Sequence, residues 1–129
     1  MKRVLVVEDN ENNMKLICLV LKKHGYEPIQ AFSGEEGVDK AIEERPDIIL
    51  MDIQLPDISG LEAVERIRMV DDMQEILIIA ITSYAMSGDR ERMLNVGFEG
   101  YFEKPIDPLT IIEDIEKIVK QRNNDNTSS

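Results

Sequence analysis

Short apolar runs alternate with longer stretches of mixed apolar and polar residues along most of this chain. The runs have the length and the aliphatic or β-branched composition of strands, and they cover 4–7, 27–32, 47–51, 76–81 and 101–103. The stretches between them place apolar residues at helical spacing, over 10–24, 33–45, 59–68, 88–96 and from 107 onward. The pattern therefore predicts strands and helices in strict alternation.

Polar residues at the starts of the predicted helices support these boundaries. Asn10 can cap the first helix, and Ser33 and Ser59 are each followed three residues later by a glutamate, the spacing of a capping box. Asp107 is the predicted cap of the last helix, with Pro108 at its first position. The helices are therefore expected to begin shortly after the strands end.

Strands that are apolar throughout and alternate with helices are typical of a parallel sheet covered on both faces. With right-handed crossovers, the simplest arrangement is an α/β fold with a doubly wound five-stranded sheet. The length of 129 residues suits one domain, which we assign to residues 1–122. Residues 123–129 lack apolar side chains and are predicted to form a disordered polar tail.

Composition and charge restrict the partners and the compartment. The net charge of −11 argues against direct binding to nucleic acid or to an anionic membrane surface. Cys18 is the single cysteine, so no intramolecular disulfide can form, which fits a reducing compartment. No segment has the length and hydrophobicity of a signal peptide or a membrane span. We therefore expect a cytoplasmic protein, as a monomer or a weak dimer.

Polar residues stand at the ends of four of the predicted strands. Glu8 and Asp9 follow the first strand, Asp52 the third, Thr82 the fourth and Lys104 the fifth. Each has an ordinary explanation by itself, such as a helix cap, a β-branched strand residue or a surface lysine. In an open parallel sheet, however, ligands bind beyond the carboxyl ends of the strands. Their convergence at one edge therefore indicates a binding site.

The residue types at this edge suit phosphoryl transfer. Carboxylates that share a site repel one another unless one is protonated or a cation joins them. Mg²⁺ prefers a few carboxylates together with phosphate oxygens. A carboxylate such as Asp52 can attack a phosphoryl group and form an aspartyl phosphate. Lys104 would neutralise part of the charge and the Thr82 hydroxyl would donate to the product, since phosphoryl transfer depends mainly on positioning and charge.

Four motifs in the chain resemble those of a known family, the CheY-like response-regulator receiver domain. The resemblance extends over 2–122 and lies in four motifs: Val6-Val7-Glu8-Asp9-Asn10, Leu50-Met51-Asp52-Ile53-Gln54-Leu55-Pro56, Ile81-Thr82-Ser83 and Tyr101-Phe102-Glu103-Lys104-Pro105. The sequences of the first motif and of residues 55–62 are most similar to those of single-domain receivers of the DivK type. Glu8 stands where the family more often has aspartate, which should move its carboxylate outward.

The resemblance implies a flavodoxin-like sheet of order 2-1-3-4-5 and a set of phosphoryl-binding residues. Asp52 would be the phosphoacceptor, and Thr82 and Lys104 would bind the phosphoryl group. Tyr101 would be the aromatic residue of the conformational switch. The peptide bond between Lys104 and Pro105 would be cis, a state that X–Pro bonds allow.

The same resemblance implies the metal ligands. Asp9 and Asp52 would bind Mg²⁺ directly, Glu8 would bind it through water, and the backbone carbonyl of Gln54 would be the third protein ligand. Gln54 and Tyr84 would flank the path of a water molecule that hydrolyses the phosphate. Because Tyr84 is bulky and cannot act as a base at neutral pH, we predict a long-lived phosphorylated state.

These expectations describe a two-component signalling switch rather than an enzyme that turns over a substrate. A histidine kinase or a histidine phosphotransfer protein would donate the phosphoryl group, which adds about −1.5 to −2 charges. Thr82 would then move toward the new oxygens and Tyr101 would rotate inward. A downstream protein target would recognise the altered face formed by the fourth predicted helix, the fifth strand and the last helix.

Three alternatives share part of this pattern. The start at Met1 and the short tail favour a complete single-domain protein, but a receiver cut from a hybrid histidine kinase or a multidomain regulator would have similar motifs. A small Asp-dependent phosphohydrolase would carry a second acid two residues after its nucleophile, whereas Gln54 follows Asp52 at that distance. A flavin-binding module would need a phosphate-binding loop after the first strand, where this chain has Glu8 and Asp9.

Overall fold

The computed structural model describes residues 2–82 and 95–127, and describes side chains of the second range as far as Arg122. Within these ranges, parallel strands form one sheet in the order β2-β1-β3-β4-β5, which confirms the predicted fold class and strand order. The strands are β1 Arg3–Val7, β2 Glu27–Ala31, β3 Ile48–Asp52, β4 Leu77–Thr82 and β5 Gly100–Glu103. Their bounds differ from the predicted runs by one residue at several ends.

The described helices begin where the polar caps predict them, with one exception. Their bounds are α1 Glu11–Lys23, α2 Gly34–Glu44, α3 Gly60–Arg68 and a C-terminal helix, Ile111–Thr127. The side chain of Asn10 accepts a hydrogen bond from the Asn13 amide at 2.9 Å. Ser33 and Ser59 accept from the amides three residues ahead at 3.1 and 3.2 Å. Each cap therefore satisfies a backbone donor that the helix itself leaves unpaired.

The C-terminal helix differs from the prediction at both ends. It begins at Ile111 rather than directly after Asp107. The Asp107 side chain still accepts from the Leu109 amide at 2.9 Å, and its backbone carbonyl accepts from the Ile111 amide at 3.0 Å, so a capped turn precedes the helix. It continues to Thr127, whereas the sequence predicts a disordered tail from 123. No glycine or proline interrupts Ile111–Thr127, so backbone hydrogen bonds can extend the helix beyond its last apolar residue.

Two further expectations fall wholly or partly outside the described residues. The predicted fourth helix over 88–96 lies outside them except at 95 and 96. Ser83 and Tyr84, which follow β4, also lie outside them. The predicted role of Tyr84 in the lifetime of the phosphate therefore stays a prediction.

Two apolar layers cover the sheet. On one face, β-strand residues such as Val6 and Leu50 pack with α1 and the C-terminal helix. On the other face, their neighbours Val7 and Met51 pack with α2 and α3. Successive residues of a strand point to opposite faces, so strands buried on both sides must be apolar at every position. This requirement explains the continuous apolar runs in the sequence.

The register of the sheet brings polar strand ends together at one edge. Val7 pairs with Met51, Asp52 pairs with Ile81, and Thr82 pairs with Glu103. The residues that directly follow β1 and β5 therefore lie beside the carboxyl end of β3. None of the helices in the described part of the chain has the length and hydrophobicity of a membrane-spanning segment.

Candidate functional site

A buried cluster of opposite charges forms at the carboxyl ends of β1, β3 and β5. The ammonium of Lys104 lies 2.9 Å from Asp52 Oδ2 and 3.1 Å from Glu8 Oε1. Glu8 and Asp52 are both 0% exposed as residues. Burial of charges is costly unless they are paired, so the lysine is required to hold this arrangement.

Asp52 is fixed by the backbone that follows it. Its Oδ1 accepts a hydrogen bond from the Gln54 amide at 2.9 Å, while Oδ2 contacts Lys104. The Gly60 amide donates to the Ile53 carbonyl at 3.0 Å, which ties the start of α3 to the end of β3. A methyl group at Gly60 would overlap the Asp52 carbonyl oxygen and lie 2.8 Å from Ile53 Cα. Only glycine permits this close approach.

Glu8 is held by the first turn of α1. The amide of Asn10 donates to Glu8 Oε2 at 3.3 Å, and the side-chain amide of Asn13 donates to Oε1 at 3.3 Å. The glutamate therefore folds back toward the helix and stays buried, which corrects the expectation that its carboxylate moves outward. Burial raises the pKa of Glu8, the hydrogen bond and charge of Asp52 raise it further, and Lys104 opposes both.

Lys104 directly follows β5 and extends its pairing with β4. Its amide donates to the Thr82 carbonyl at 2.8 Å, and its peptide bond to Pro105 is cis. Burial lowers the pKa of Lys104, but hydrogen bonds and charges from Asp52 and Glu8 outweigh this effect and raise it above the ordinary value. The residue is therefore a cation across the physiological pH range.

Thr82 and Tyr101 lie on the neighbouring strands. Thr82 ends β4, is 2% exposed and follows Ile81, which pairs with Asp52. Tyr101 pairs with Ala80 and is half-buried against the apolar layer that includes α2 and α3. Thr82 thus lies at the edge of the sheet that carries the charged cluster, whereas Tyr101 lies at a position further back along β5.

The cluster fits a divalent cation on its charge and donor atoms. Carboxylate oxygens of Glu8, Asp9 and Asp52 can all lie within 4.8 Å of one another, and Asp9 is exposed. With the described Lys104 as counter-ion, three ionised carboxylates leave a net charge of −2. Oxygen donors with one side open to water are the ligands that Mg²⁺ prefers.

Sequence reasoning missed two residues near this site. Asn13 donates to Glu8, and Asp57 accepts from the amides of Gly34 and Glu35, both at 2.8 Å. Asn13 could have been found from its place in the first turn of the helix that follows Glu8. The partner of Asp57 belongs to another helix, so no local pattern points to it.

Comparisons with known proteins agree on one family. Residues 4–116 match the family described as "Response regulator receiver domain". The chain is 48% identical over 115 residues to "Polar-differentiation response regulator DivK" of Brucella anthropi, covering 89% of this chain and 94% of that protein. The protein of the same name from Brucella ovis is 47% identical over 115 residues, with the same coverage.

Solved structures of low to moderate identity share the fold. The chemotaxis response regulator CheY4 of Vibrio cholerae has a TM-score of 0.88 at 28% identity, covering 92% of this chain and 98% of that one. The receiver domain of sensor histidine kinase PA1611 from Pseudomonas aeruginosa, solved "with magnesium ion coordinated in the active site cleft", has a TM-score of 0.83 at 33% identity. It covers 92% of this chain and 98% of that one.

Proposed function

The chain belongs to the response regulator receiver domain family of two-component signalling, and on that premise we propose that it accepts a phosphoryl group on Asp52 with the help of Mg²⁺. A receiver of this kind is a signalling switch, and its DivK-like relatives cover nearly its whole length. The proposal concerns the chemistry and the partners of this particular chain.

The main support for this proposal is the environment of Asp52. Its carboxylate is buried, accepts one backbone hydrogen bond through Oδ1 and contacts the Lys104 ammonium through Oδ2. A structural ion pair would not require a further pair of acids, yet Glu8 and Asp9 lie beside it. This excess of negative charge supports a site that works with a cation and a phosphoryl donor.

In the proposed step, a carboxylate oxygen of Asp52 attacks the phosphorus of the donor. A new P–O bond forms to Asp52 while the bond from phosphorus to the leaving group breaks, and that bond's electron pair departs with the leaving group. The leaving group is the acetate of acetyl phosphate, or the neutral imidazole of a phosphohistidine whose other ring nitrogen carries a proton. Lys104 and the Thr82 hydroxyl would stabilise the charge on the transferred oxygens.

The proposed metal ligands are Asp9, Asp52 and the backbone carbonyl of Gln54, with Glu8 acting through water. The related receiver of sensor histidine kinase PA1611, whose structure holds a magnesium ion in its active site cleft, supports magnesium as the ion but does not bear on which residues hold it. When bound, Mg²⁺ would neutralise phosphoryl charge and align the donor with Asp52. The Gln54 amide, by donating to Oδ1 at 2.9 Å, orients the carboxylate for attack.

The output is proposed to be a change of one docking face. New phosphoryl oxygens would draw the Thr82 hydroxyl toward Asp52, and Tyr101 would rotate inward behind it. The affected face comprises the fourth predicted helix, β5 and the C-terminal helix, and a downstream protein would bind there. A histidine kinase or a histidine phosphotransfer protein in the cytoplasm is the proposed donor.

Intact-protein mass spectrometry after incubation with acetyl phosphate and Mg²⁺ tests the chemistry. The wild type should gain one phosphoryl group, and Asp52→Asn should gain none. Asp47→Asn is the matched control. Asp47 directly precedes β3, at the opposite end of the strand from Asp52, so this substitution should not alter labelling. Labelling of Asp52→Asn, or an unlabelled wild type, would overturn the proposal.

A further inference from the structure

Asp57 joins the loop after β3 to the helix that follows β2. Its Oδ1 accepts from the Gly34 amide and its Oδ2 from the Glu35 amide, both at 2.8 Å. These amides belong to the first turn of α2, where the helix dipole favours a negative charge. From this geometry we infer that Asp57 is a positioning residue for the magnesium-binding loop 53–57, a role that rests on the proposed function.

A second contact, made by the residue directly after the loop, restricts the position of the loop against α2. Ile58 packs on Gly34 so closely that a methyl group at Gly34 would overlap the Ile58 side chain and lie 3.0 Å from its carbonyl oxygen. The carboxylate can reach both amides because glycine lets the two backbones approach. The hydrogen bonds and the glycine contact together define one position of the loop relative to α2.

That position bears directly on the proposed metal ligand. The loop begins at Ile53, whose carbonyl accepts from the Gly60 amide at 3.0 Å, and it continues to Asp57. Gln54 lies between these two attachment points, and its amide is already committed to Asp52 at 2.9 Å. With its amide and both ends of the segment held, little freedom remains for the Gln54 carbonyl. Loss of the hydrogen bonds from Asp57 would free one end of the segment. The Gln54 carbonyl would then sample several positions.

The test separates positioning of the loop from simple capping of α2. Asp57→Asn keeps the shape of the side chain but replaces one acceptor oxygen with an NH₂ group that faces a backbone donor. Ser33→Ala is the matched control, because Ser33 caps the same helix by accepting from the Glu36 amide at 3.1 Å and does not belong to the loop. Both variants and the wild type are titrated with Mg²⁺ by calorimetry and unfolded with urea.

We expect Asp57→Asn to raise the Mg²⁺ Kd about tenfold, the low end of the range for residues that orient metal ligands. The rate of phosphorylation by acetyl phosphate should return to the wild-type value at saturating Mg²⁺. Ser33→Ala should lower stability and leave the Kd unchanged. An unchanged Kd in a folded Asp57→Asn variant would overturn the inference, whereas absence of Mg²⁺ binding in the wild type would refute the proposed function instead.

Discussion

Lys104 Nζ lies 2.9 Å from Asp52 Oδ2, although 52 positions separate the two residues in the chain. The sheet creates this contact, because β3 and β5 both flank β4 and end at the same edge. The same ammonium lies 3.1 Å from Glu8. A single cation therefore stabilises two buried acids, and a bound divalent ion would add to that stabilisation.

Replacement of Lys104 by methionine should destabilise the protein most when divalent ions are absent. Breaking a buried ion pair by removing one partner costs about 3–5 kcal/mol, and the partial exposure of Lys104 reduces the expected loss to about 2 kcal/mol. Mg²⁺ should recover part of this loss, since it supplies positive charge to the same acids. Urea unfolding in EDTA and in excess Mg²⁺ measures both free energies.

Lys120→Met is the control for this comparison, because Lys120 is exposed on the C-terminal helix. It should change the free energy of unfolding little in either condition. An equal loss for Lys104→Met with and without Mg²⁺ would show that the cation does not act on these acids.

Asn13 should contribute to metal binding through Glu8. Its side chain donates to Glu8 Oε1 at 3.3 Å, so Asn13→Ala should let the carboxylate sample other positions. We expect the Mg²⁺ Kd to rise about tenfold, as for other residues that support a metal ligand. The neighbouring and exposed Asn12, changed to alanine, is the matched control. Equal Kd values for the two variants would refute a role for Asn13.

Much of the fold could be predicted because a parallel sheet buried on both faces imposes continuous apolar strands. That constraint placed Asp52 and Thr82 at strand ends, where the register brings their strands together. The helix caps at Ser33 and Ser59 could also be predicted from the sequence, since capping depends on residues only three positions apart.

The unpredicted features depend on individual hydrogen bonds, some between distant segments and some between near neighbours in the chain. Asp57 is an exposed loop residue in the sequence pattern, and its partners lie 22 and 23 positions away. The burial of Glu8 depends on the rotamer that Asn10 and Asn13 select. The C-terminal helix continues through polar residues to Thr127 because backbone hydrogen bonding needs no apolar face there. None of these features leaves a periodic signal.

Gly60→Ala should impair phosphorylation through the backbone of Asp52. The added methyl group would overlap the Asp52 carbonyl oxygen, so α3 or the end of β3 must shift, at a cost of about 2 kcal/mol. A shift of the nucleophile by about 1 Å can slow a reaction about 100-fold. The rate of phosphorylation by acetyl phosphate and the free energy of unfolding should therefore both decrease.

Gly25→Ala separates the effect on the site from a general loss of stability. Gly25 has a φ of +85°, and, its chain neighbours aside, no atom lies within 4 Å of the place that an added methyl group would take, so alanine there costs only backbone strain, about 1–2 kcal/mol. It follows the end of α1, far from Asp52 along the chain. Both variants should be less stable than the wild type, but only Gly60→Ala should be phosphorylated slowly. Equal phosphorylation rates for the two variants would contradict a specific effect of Gly60 on Asp52.

The stabilising effect of Asp57 should depend on pH. Hydrogen bonds from the Glu35 and Gly34 amides hold the pKa of Asp57 at about 2, below its ordinary value of 3.8. A carboxyl group with a depressed pKa stabilises the folded state fully above the unfolded pKa, and this contribution is lost as the pH falls toward the folded pKa. The difference in unfolding free energy between wild type and Asp57→Asn should thus be constant from pH 7 to about pH 5 and shrink between about pH 4 and pH 2.

Urea unfolding at a series of pH values measures this difference. The control is Asp39→Asn, which changes an exposed aspartate of α2. Because both variants replace one carboxylate with an amide, only a loss specific to Asp57→Asn can be assigned to the bonded amides. A difference that persists unchanged to pH 2 would contradict this origin.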